Sequence, residues 1–281
     1  MSRAKGRPTM HSRTLEAAAP AGRAPLALGP GARQAILLVV LAALWEAYAR
    51  SLNNSLLLPS FIETLQALVT ATLNGELPGR TVASLSVLLS GYGIGIVLAA
   101  LITGLAALSK WGESLLTLLT SMFNPLPAIA LLPIALLWFG VGSSSLIFVT
   151  VHAVLWPLAL SCHAGFRAVP QTLRMAARNL GLAGPSYVFT LLVPAALPSI
   201  LSGLRLGWAF AWRTLIAAEM VFGASARSGG LGWFIFTNRA QLDTANVFAG
   251  LLAVILIGLV VETVIFATLT RLTVRRWGQE S

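Results

Sequence analysis

Charged residues are scarce in this sequence, and their scarcity excludes a soluble globular protein. Only 10% of the 281 residues are charged, whereas 57% are hydrophobic and the mean hydropathy is +0.82. A soluble domain needs about a quarter of its residues charged in order to cover its surface. The composition therefore predicts a protein that is embedded in a membrane.

Cysteine and histidine are also rare, which removes most kinds of catalytic and metal site. Cys162 is the single cysteine, so the chain can form no internal disulfide. His152 and His163 are predicted to be packed residues, because no cluster that could complete a metal site accompanies them. Cys162 and His163 are neighbours on a predicted helix and point in different directions, so they form no nucleophile pair. We predict no metal site and no catalytic residue.

The sequence lacks a nucleotide-binding loop as well. The pattern G-x-x-x-x-G-K-[ST], whose backbone N–H groups bind phosphates, occurs nowhere in the chain. The chain therefore cannot bind and cleave ATP by that route, and any energy that its activity needs must come from a second polypeptide or from an ion gradient. The formal net charge of +10 does not indicate nucleic-acid binding, because the basic residues lie in tails and loops instead of forming a basic face.

Long apolar runs are abundant, and they predict about six membrane-spanning helices. The predicted spans cover residues 34–48, 82–108, 115–139, 145–166, 200–222 and 247–269. Residues 1–33 are rich in Ala, Gly, Pro and Arg without apolar periodicity, and they are predicted to form a disordered cytoplasmic tail before a transmembrane domain over residues 34–277. Glu46 interrupts the short first run, so a cleaved signal peptide is the alternative there. The long basic region before the run favours a retained span.

Local signals add detail between and within the spans. Ser60 is predicted to cap an amphipathic surface helix over residues 61–69. Pro125 and Pro127 remove backbone donors inside the third span, which a membrane tolerates only where protein or water covers the backbone. Residues 228–234 are predicted to form an outer loop that folds back on the bundle. Small residues of the second span are predicted to allow close helix approach, and these are Gly91, Gly93, Gly95 and Gly104.

The distribution of basic residues predicts that both termini are cytoplasmic. Basic residues concentrate in the N-terminal tail, over residues 167–178 and after residue 270. The opposite side holds Arg50, Arg80, Arg227 and Arg239. Since cytoplasmic loops carry an excess of Lys and Arg, the segment over residues 167–178 is predicted to be cytoplasmic too.

Residues 167–195 form a polar, helix-forming insert between two apolar spans. Pro170 suits the first turn of a short helix, and Gly181 suits the position just past its end. A second short helix is predicted over residues 185–193, ended by Pro194. A short helix that is held by spans at both ends has the shape of an element that another protein binds.

The first of these short helices carries small residues between two cations. Arg174 and Arg178 lie one helical turn apart, with Ala176 and Ala177 between them. Small side chains let the backbone of another element come close. This composition again indicates a docking element.

The spacing of the insert resembles the EAA signature of the ABC importer permeases that work with a binding protein. Met175-Ala176-Ala177, Gly181 and Leu191-Leu192-Val193-Pro194 match the pattern EAA, three residues, G, nine residues, I-x-L-P. Met175 departs from the signature, because Glu is usual at that position. Other strings, such as Leu137-Trp138-Phe139-Gly140 and Ala218-Glu219-Met220, resemble the branch that imports nitrate, sulfonates, taurine or bicarbonate.

The resemblance implies an all-α, type I ABC importer permease fold in a bacterial inner membrane. It implies a homodimer, two cytoplasmic ATPase subunits and an extracytoplasmic solute-binding protein, with ATP and Mg²⁺ bound by the ATPase and no cofactor in this chain. The insert then acts as the coupling helix, which docks on the ATPase. The implied ATPase-coupling residues are Arg174, Met175, Ala176, Ala177, Gly181 and Pro194. The implied solute is small and anionic, such as a sulfonate, taurine or nitrate, with phthalate-like acids and vitamin precursors as alternatives.

Charged and aromatic residues of the fifth span are candidates for the translocation path. Arg205, Trp212 and Glu219 share a narrow arc at about 100° per residue, whereas Arg213 points elsewhere. In the packing alternative, Arg205 reaches the membrane interface and Glu219 bonds the backbone of the outer loop. Arg213 lies nearest mid-membrane and would suit an anionic substrate, although Glu262 or an exposed carbonyl could pair with it instead.

Two other classes of protein are alternatives to an importer subunit. A secondary transporter driven by an ion gradient would need inverted repeats and paired intramembrane carboxylates, and the sequence displays neither. A membrane enzyme would need a cluster of His, Asp and Glu. The sequence therefore favours a permease subunit that is not itself an enzyme.

Overall fold

The computed structural model describes residues 29–222 and 229–275, and within these ranges the chain forms helices and no β-strand. The predicted all-α class is confirmed. The helices are α1 (Pro30–Leu52), α2 (Phe61–Leu73), α3 (Glu76–Leu108), α4 (Lys110–Phe123), α5 (Leu132–Phe139), α6 (Ser143–Ala168), α7 (Gln171–Asn179), α8 (Gly184–Tyr187), α9 (Val193–Ala195), α10 (Leu197–Phe222), α11 (Leu231–Ala240), α12 (Thr244–Val260) and α13 (Ala267–Thr270). Three π-helical turns and one 3₁₀ turn join them, and these are Val188–Leu192, Val261–Phe266, Arg271–Arg275 and Ala128–Leu131.

In the part of the chain that the structure describes, four helical segments are long and apolar enough to cross a membrane, and two bent pairs raise the number to six when each pair counts as one span. This number agrees with the prediction. The third span, predicted over residues 115–139 with irregular backbone at its prolines, is broken there: α4 and the segment 128–139 meet at 88°. Pro125 and Pro127 explain the break, because each lacks the N–H that a continuing helix would need.

The chain divides into two compact units, Met1–Leu44 and Trp45–Ser281. The described part of the first unit is the N-terminal portion of α1, which begins at Pro30, earlier than the predicted residue 34. Its apolar side chains over residues 36–41 are exposed, as expected for a helix surrounded by lipid. Residues 1–28 of the predicted tail lie outside the described residues.

The second unit contains the hydrophobic core, in which α6 packs against both α3 and α10. Glycine determines how closely α3 approaches. A Cβ atom built at Gly91 would lie 2.7 Å from a side chain of α6, and one built at Gly95 would lie 2.8 Å from another. Gly93 and Gly104 have no such neighbour within 4 Å. Half of the predicted glycine set therefore makes the close helix contact.

Two shorter helices complete the second unit. The Ser60 hydroxyl accepts a hydrogen bond from the Glu63 backbone N–H (3.1 Å), and the Glu63 carboxylate accepts one from the Ser60 N–H (2.9 Å). This capping box begins α2 where the sequence predicts it. The segment predicted as a returning outer loop contains α11, which buries Leu231, Phe234 and Ile235 in the core. Residues 223–228 lie outside the described residues.

Candidate functional site

The segment between α6 and α10 has a small hydrophobic core of its own. Five buried residues form it, and we call them the loop-base cluster: Phe166, Val169, Val188, Leu192 and Ala196. The first two belong to the end of α6, and the last immediately precedes α10. The cluster therefore attaches the segment between α6 and α10, residues 169–196, to both spans, and we call this segment the α7 segment.

Arg174 ties α7 to the end of α6. Its Nε atom donates to the Val169 carbonyl oxygen at 3.0 Å, and Nη2 donates to the Phe166 carbonyl oxygen. The last carbonyl groups of a helix lack helical partners, and a cation is favourable beside them. Arg174 was predicted to couple to an ATPase, and the structure gives its guanidinium this internal contact. It is a positioning residue for α7.

Gly181 ends α7 at the predicted position. Its φ angle is +76°, a left-handed conformation that glycine adopts without a Cβ penalty. The Gly181 N–H donates to the Arg178 carbonyl (2.9 Å), and the Leu182 N–H donates to the Ala177 carbonyl (3.0 Å). These two bonds form a Schellman motif. A Cβ built at Gly181 would meet nothing within 4 Å, so the requirement for glycine is conformational.

One side of α7 is apolar and exposed. Leu173, Ala176 and Leu180 are exposed and lie on a common arc at about 100° per residue, and we call them the α7 face. Ala177 is buried and lies between Leu173 and Arg174 around the helix, at the border between the α7 face and the packed side. Met175, which stands where the signature has Glu, is 51% exposed and lies outside the α7 face.

The helix after α7 continues further than predicted. It was predicted to end at Pro194, which is wrong, because α9 includes Pro194 and the 78° bend into α10 follows at residue 196. Proline is tolerated there because it occupies the first turn of α9, directly after a π-helical turn.

Glu219 lies in a buried polar network near the other end of α10. It is 3% exposed, and its carboxylate accepts from the Ser84 hydroxyl (2.8 Å) and from the Gly232 N–H (2.9 Å). The Ser84 hydroxyl accepts in turn from the Leu231 N–H (2.9 Å). We call these four residues the Glu219 knot. They join α3, α10 and the start of α11, which is the packing alternative described for Glu219.

Two further candidates of the fifth span make contacts between helices. Arg205 forms an ion pair with Glu262, which lies in the π-helical turn after α12, and both side chains are about half exposed. Trp212 is buried, donates from Nε1 to the Val254 carbonyl (3.2 Å) and stacks on Trp208. Glu262 was considered as a partner of Arg213, and the structure pairs it with Arg205.

Arg213 is exposed on another side of α10. Its Nε donates to the Ala209 carbonyl at 3.0 Å, and its guanidinium carbon lies 4.9 Å from the centre of the Phe210 ring. Among the residues that the structure describes, no carboxylate forms an ion pair with it. Arg213 is therefore an uncompensated cation.

A cleft of about 430 Å³ opens between the broken third span, α6 and α10. The break contributes Asn124 and the residues after it, α6 contributes His152 and Trp156, and α10 contributes Phe210 and Thr214. Sequence reasoning did not bring these residues together. The available signal was the four-residue spacing of His152 and Trp156, which places them on one face of a helix.

Comparison with known proteins supports a transport role. The sequence profile of the family described as "Binding-protein-dependent transport system inner membrane component" matches residues 91–277. The chain belongs to this family. The permease is 31% identical over 271 residues to the taurine transport system permease protein TauC of Escherichia coli (strain K12), and 94% of each chain is covered.

Two further relatives agree with this assignment. The permease is 32% identical to the putative aliphatic sulfonates transport permease protein SsuC of Escherichia coli (strain K12), with 78% of this chain and 82% of SsuC covered. It is 29% identical to the nitrate import permease protein NrtB of Synechocystis sp., with 82% of this chain and 85% of NrtB covered.

Membership of this family establishes the general role of the permease. It is the multi-pass membrane component of an ABC importer, it works with an ATPase and a binding protein, and it is not an enzyme itself. The family predicted from the loop signature is confirmed. The ion-gradient alternative gains no support.

Proposed function

We propose that the permease imports a small organic anion as a homodimer, driven by two ATPase subunits that bind the α7 face. The observation that carries this proposal is the contrast within α7. One side is tied to the end of α6 by Arg174, and a separate side, about 100–160° away around the helix, exposes Leu173, Ala176 and Leu180. An exposed apolar face on a firmly anchored helix is a surface for a partner protein.

The anchoring of α7 provides a route for movement. When the ATPase subunits close on ATP, they displace α7 together with the loop-base cluster. Because that cluster contacts the end of α6 and the start of α10, both spans tilt with it and the transport pathway changes the side to which it opens. In this proposal α7 and both termini face the cytoplasm, which the excess of basic residues there supports.

The solute class is inferred from the relatives. Taurine and aliphatic sulfonates are small organic anions or zwitterions that carry a sulfonate group, and nitrate shares the negative charge and the oxygen acceptors. Calorimetric titration of the associated binding protein with taurine, alkyl sulfonates and nitrate tests the class. Binding of cationic or neutral solutes alone contradicts it.

A matched pair of charge substitutions tests the docking surface. Ala176→Arg places a cation in the α7 face and is expected to weaken ATPase association about tenfold or more, because an interface cannot bury an unpaired charge. Gln171→Arg adds the same charge roughly 140° away around α7 and should leave association unchanged. Co-purification and uptake assays measure both. Equal loss in the two variants contradicts docking through the α7 face.

A further inference from the structure

We propose that the cleft between the broken third span, α6 and α10 is a binding site for an organic sulfonate or carboxylate, with Trp156 and His152 as its hydrogen-bonding side chains. This inference rests on the proposed import function and gives its solute a place in the membrane. The cleft combines buried polar atoms without partners in the described residues, a nearby cation without an ion pair there, and a cavity of ligand size.

The first argument is that the cleft contains polar atoms without partners. Trp156 is only 7% exposed, yet its Nε1–H makes no hydrogen bond within the described ranges, and neither ring nitrogen of His152 makes one. Folded proteins bond nearly all of their buried polar atoms. A ligand with acceptor oxygens that occupies the cleft would accept from the Trp156 indole N–H and from the ring nitrogen of His152 that carries a proton.

The second argument is that these two rings are held in place before any ligand arrives. Trp156 stacks on Phe123 with 5.3 Å between ring centres, and His152 meets Trp156 edge-on at 6.1 Å. The rings of Phe123 and His152 also contact each other at 6.3 Å. Because a fixed donor loses little freedom on binding, preorganisation of this kind favours affinity.

The third argument concerns charge. None of the described residues that line the cleft is acidic. Arg213 shares the arc of the lining residues Leu206 and Phe210 on α10, at about 100° per residue. Whereas Arg205 is paired with Glu262, the cation of Arg213 has no carboxylate partner in the described part of the chain. The local potential therefore attracts an anion.

The fourth argument concerns size and shape. A volume of about 430 Å³ falls in the usual range of sites for organic ligands and is far larger than nitrate needs. Leu160, Leu206 and Phe210 offer an apolar wall for a carbon skeleton, and Asn124 and Thr214 offer polar groups at its edges. A site of this composition fits an anion with an organic body better than an inorganic one.

Direct binding to the permease–ATPase complex in lipid nanodiscs tests the inference. Calorimetry with benzenesulfonate as the probe should give saturable binding, and the neutral isostere benzenesulfonamide should bind at least about tenfold more weakly. Trp156→Phe keeps the aromatic ring but removes the donor, and it should weaken benzenesulfonate binding about tenfold or more. Arg213→Gln should weaken it as well.

The chain offers a matched control for Trp156. Trp208 also has a buried indole N–H without a partner in the described residues, but it does not line the cleft. Trp208→Phe should therefore leave benzenesulfonate binding unchanged. An equal loss in Trp208→Phe, equal binding of the neutral isostere, or no saturable binding overturns the inference.

A labelling measurement keeps the test independent of the tryptophan variants. Cys162 is buried, so a cysteine introduced by Asn124→Cys is the expected reactive thiol. Benzenesulfonate, but not benzenesulfonamide, should protect it from a maleimide reagent. A thiol that does not react even without ligand means that a second copy covers the cleft, which overturns the inference.

The same preparation separates this inference from the proposed function. ATP hydrolysis stimulated by the solute-loaded binding protein reports the importer function without reference to the cleft. If stimulation is lost while benzenesulfonate still binds, the import proposal fails and the site remains. If stimulation is intact and the anion does not bind, the site fails alone.

Discussion

The α7 segment and the Glu219 knot lie near opposite ends of α10, roughly 33 Å apart along its axis, and they are built in opposite ways. The α7 segment buries an apolar base and leaves one helix face exposed. The Glu219 knot is a buried polar network in which the Glu219 carboxylate, the Ser84 hydroxyl and the backbone N–H groups of Leu231 and Gly232 are hydrogen-bonded to one another. The first arrangement leaves a surface for a second protein, whereas the second holds three helices of one chain permanently together.

The largest expected effect comes from filling the space beside the knot. A Cβ at Gly232 would overlap the Ile216 carbonyl oxygen and lie 2.6 Å from Glu219 Cβ. Gly232→Leu should therefore destabilise the fold by about 3 kcal/mol or more, because a packed core cannot absorb the added volume. Yield and thermal midpoint in detergent measure this loss. Gly93→Leu, with no neighbour within 4 Å, is the control and should fold normally.

Removing the carboxylate is expected to have the next largest effect. Glu219→Ala leaves the Gly232 N–H and the Ser84 hydroxyl without their acceptor, which costs about 1–3 kcal/mol for each buried group. Glu219→Gln keeps an acceptor oxygen and should lose clearly less stability. Thermal midpoints of the two variants decide this point. If they are equal, the network contributes nothing beyond packing.

The corresponding change in the α7 segment should affect coupling more than folding. Gly181→Leu imposes a side chain on a φ angle of +76° and costs about 1 kcal/mol locally. The complex should assemble, but uptake per ATP hydrolysed should fall because the end of α7 is displaced. Gly181→Asn, which tolerates this conformation better, should be affected less. An unchanged ratio of uptake to hydrolysis in Gly181→Leu contradicts the role of α7.

The smallest effect is expected at Met175, the position where the EAA signature usually has Glu. Met175 is exposed and lies outside the α7 face. Met175→Glu should change stability by no more than about 0.5 kcal/mol, as is usual for surface positions. ATPase association should remain within about twofold. A large gain in uptake would show that the usual Glu contributes a contact that this chain lacks.

The same two regions show what a sequence can predict. The helix of the α7 segment and its glycine end were predictable, because Pro170 and Gly181 encode them locally. The contact of Arg174 with the α6 carbonyls was not, because nothing in the spacing shows where a long side chain turns. The bond of Glu219 to the backbone at the start of α11 was one of the predicted alternatives, whereas its bond to Ser84 was not, because the two residues are 135 positions apart in the chain.

The cleft shows more clearly what could not be predicted from the sequence. Helical periodicity places Arg205, Trp212 and Glu219 on one arc of the fifth span, but periodicity alone does not say which arc packs and which faces open space. Trp212 and Glu219 lie on the packed arc, while Phe210 and Thr214 face the cleft. The prolines of the third span predicted irregular backbone, but not the 88° angle of the bend or the helices that line the cleft beside it.

One continuous helix connects the loop-base cluster with the cleft. Phe166 belongs to the cluster and Trp156 lines the cleft, roughly 15 Å apart on α6. Between them, Pro157 interrupts the hydrogen-bond ladder, which makes this turn the most pliable part of the rod. A twist applied at Phe166 is therefore absorbed beside the indole of Trp156. The turn of α6 that bends first is therefore the one that carries Trp156, and its bending would weaken the proposed contact between Trp156 and the solute.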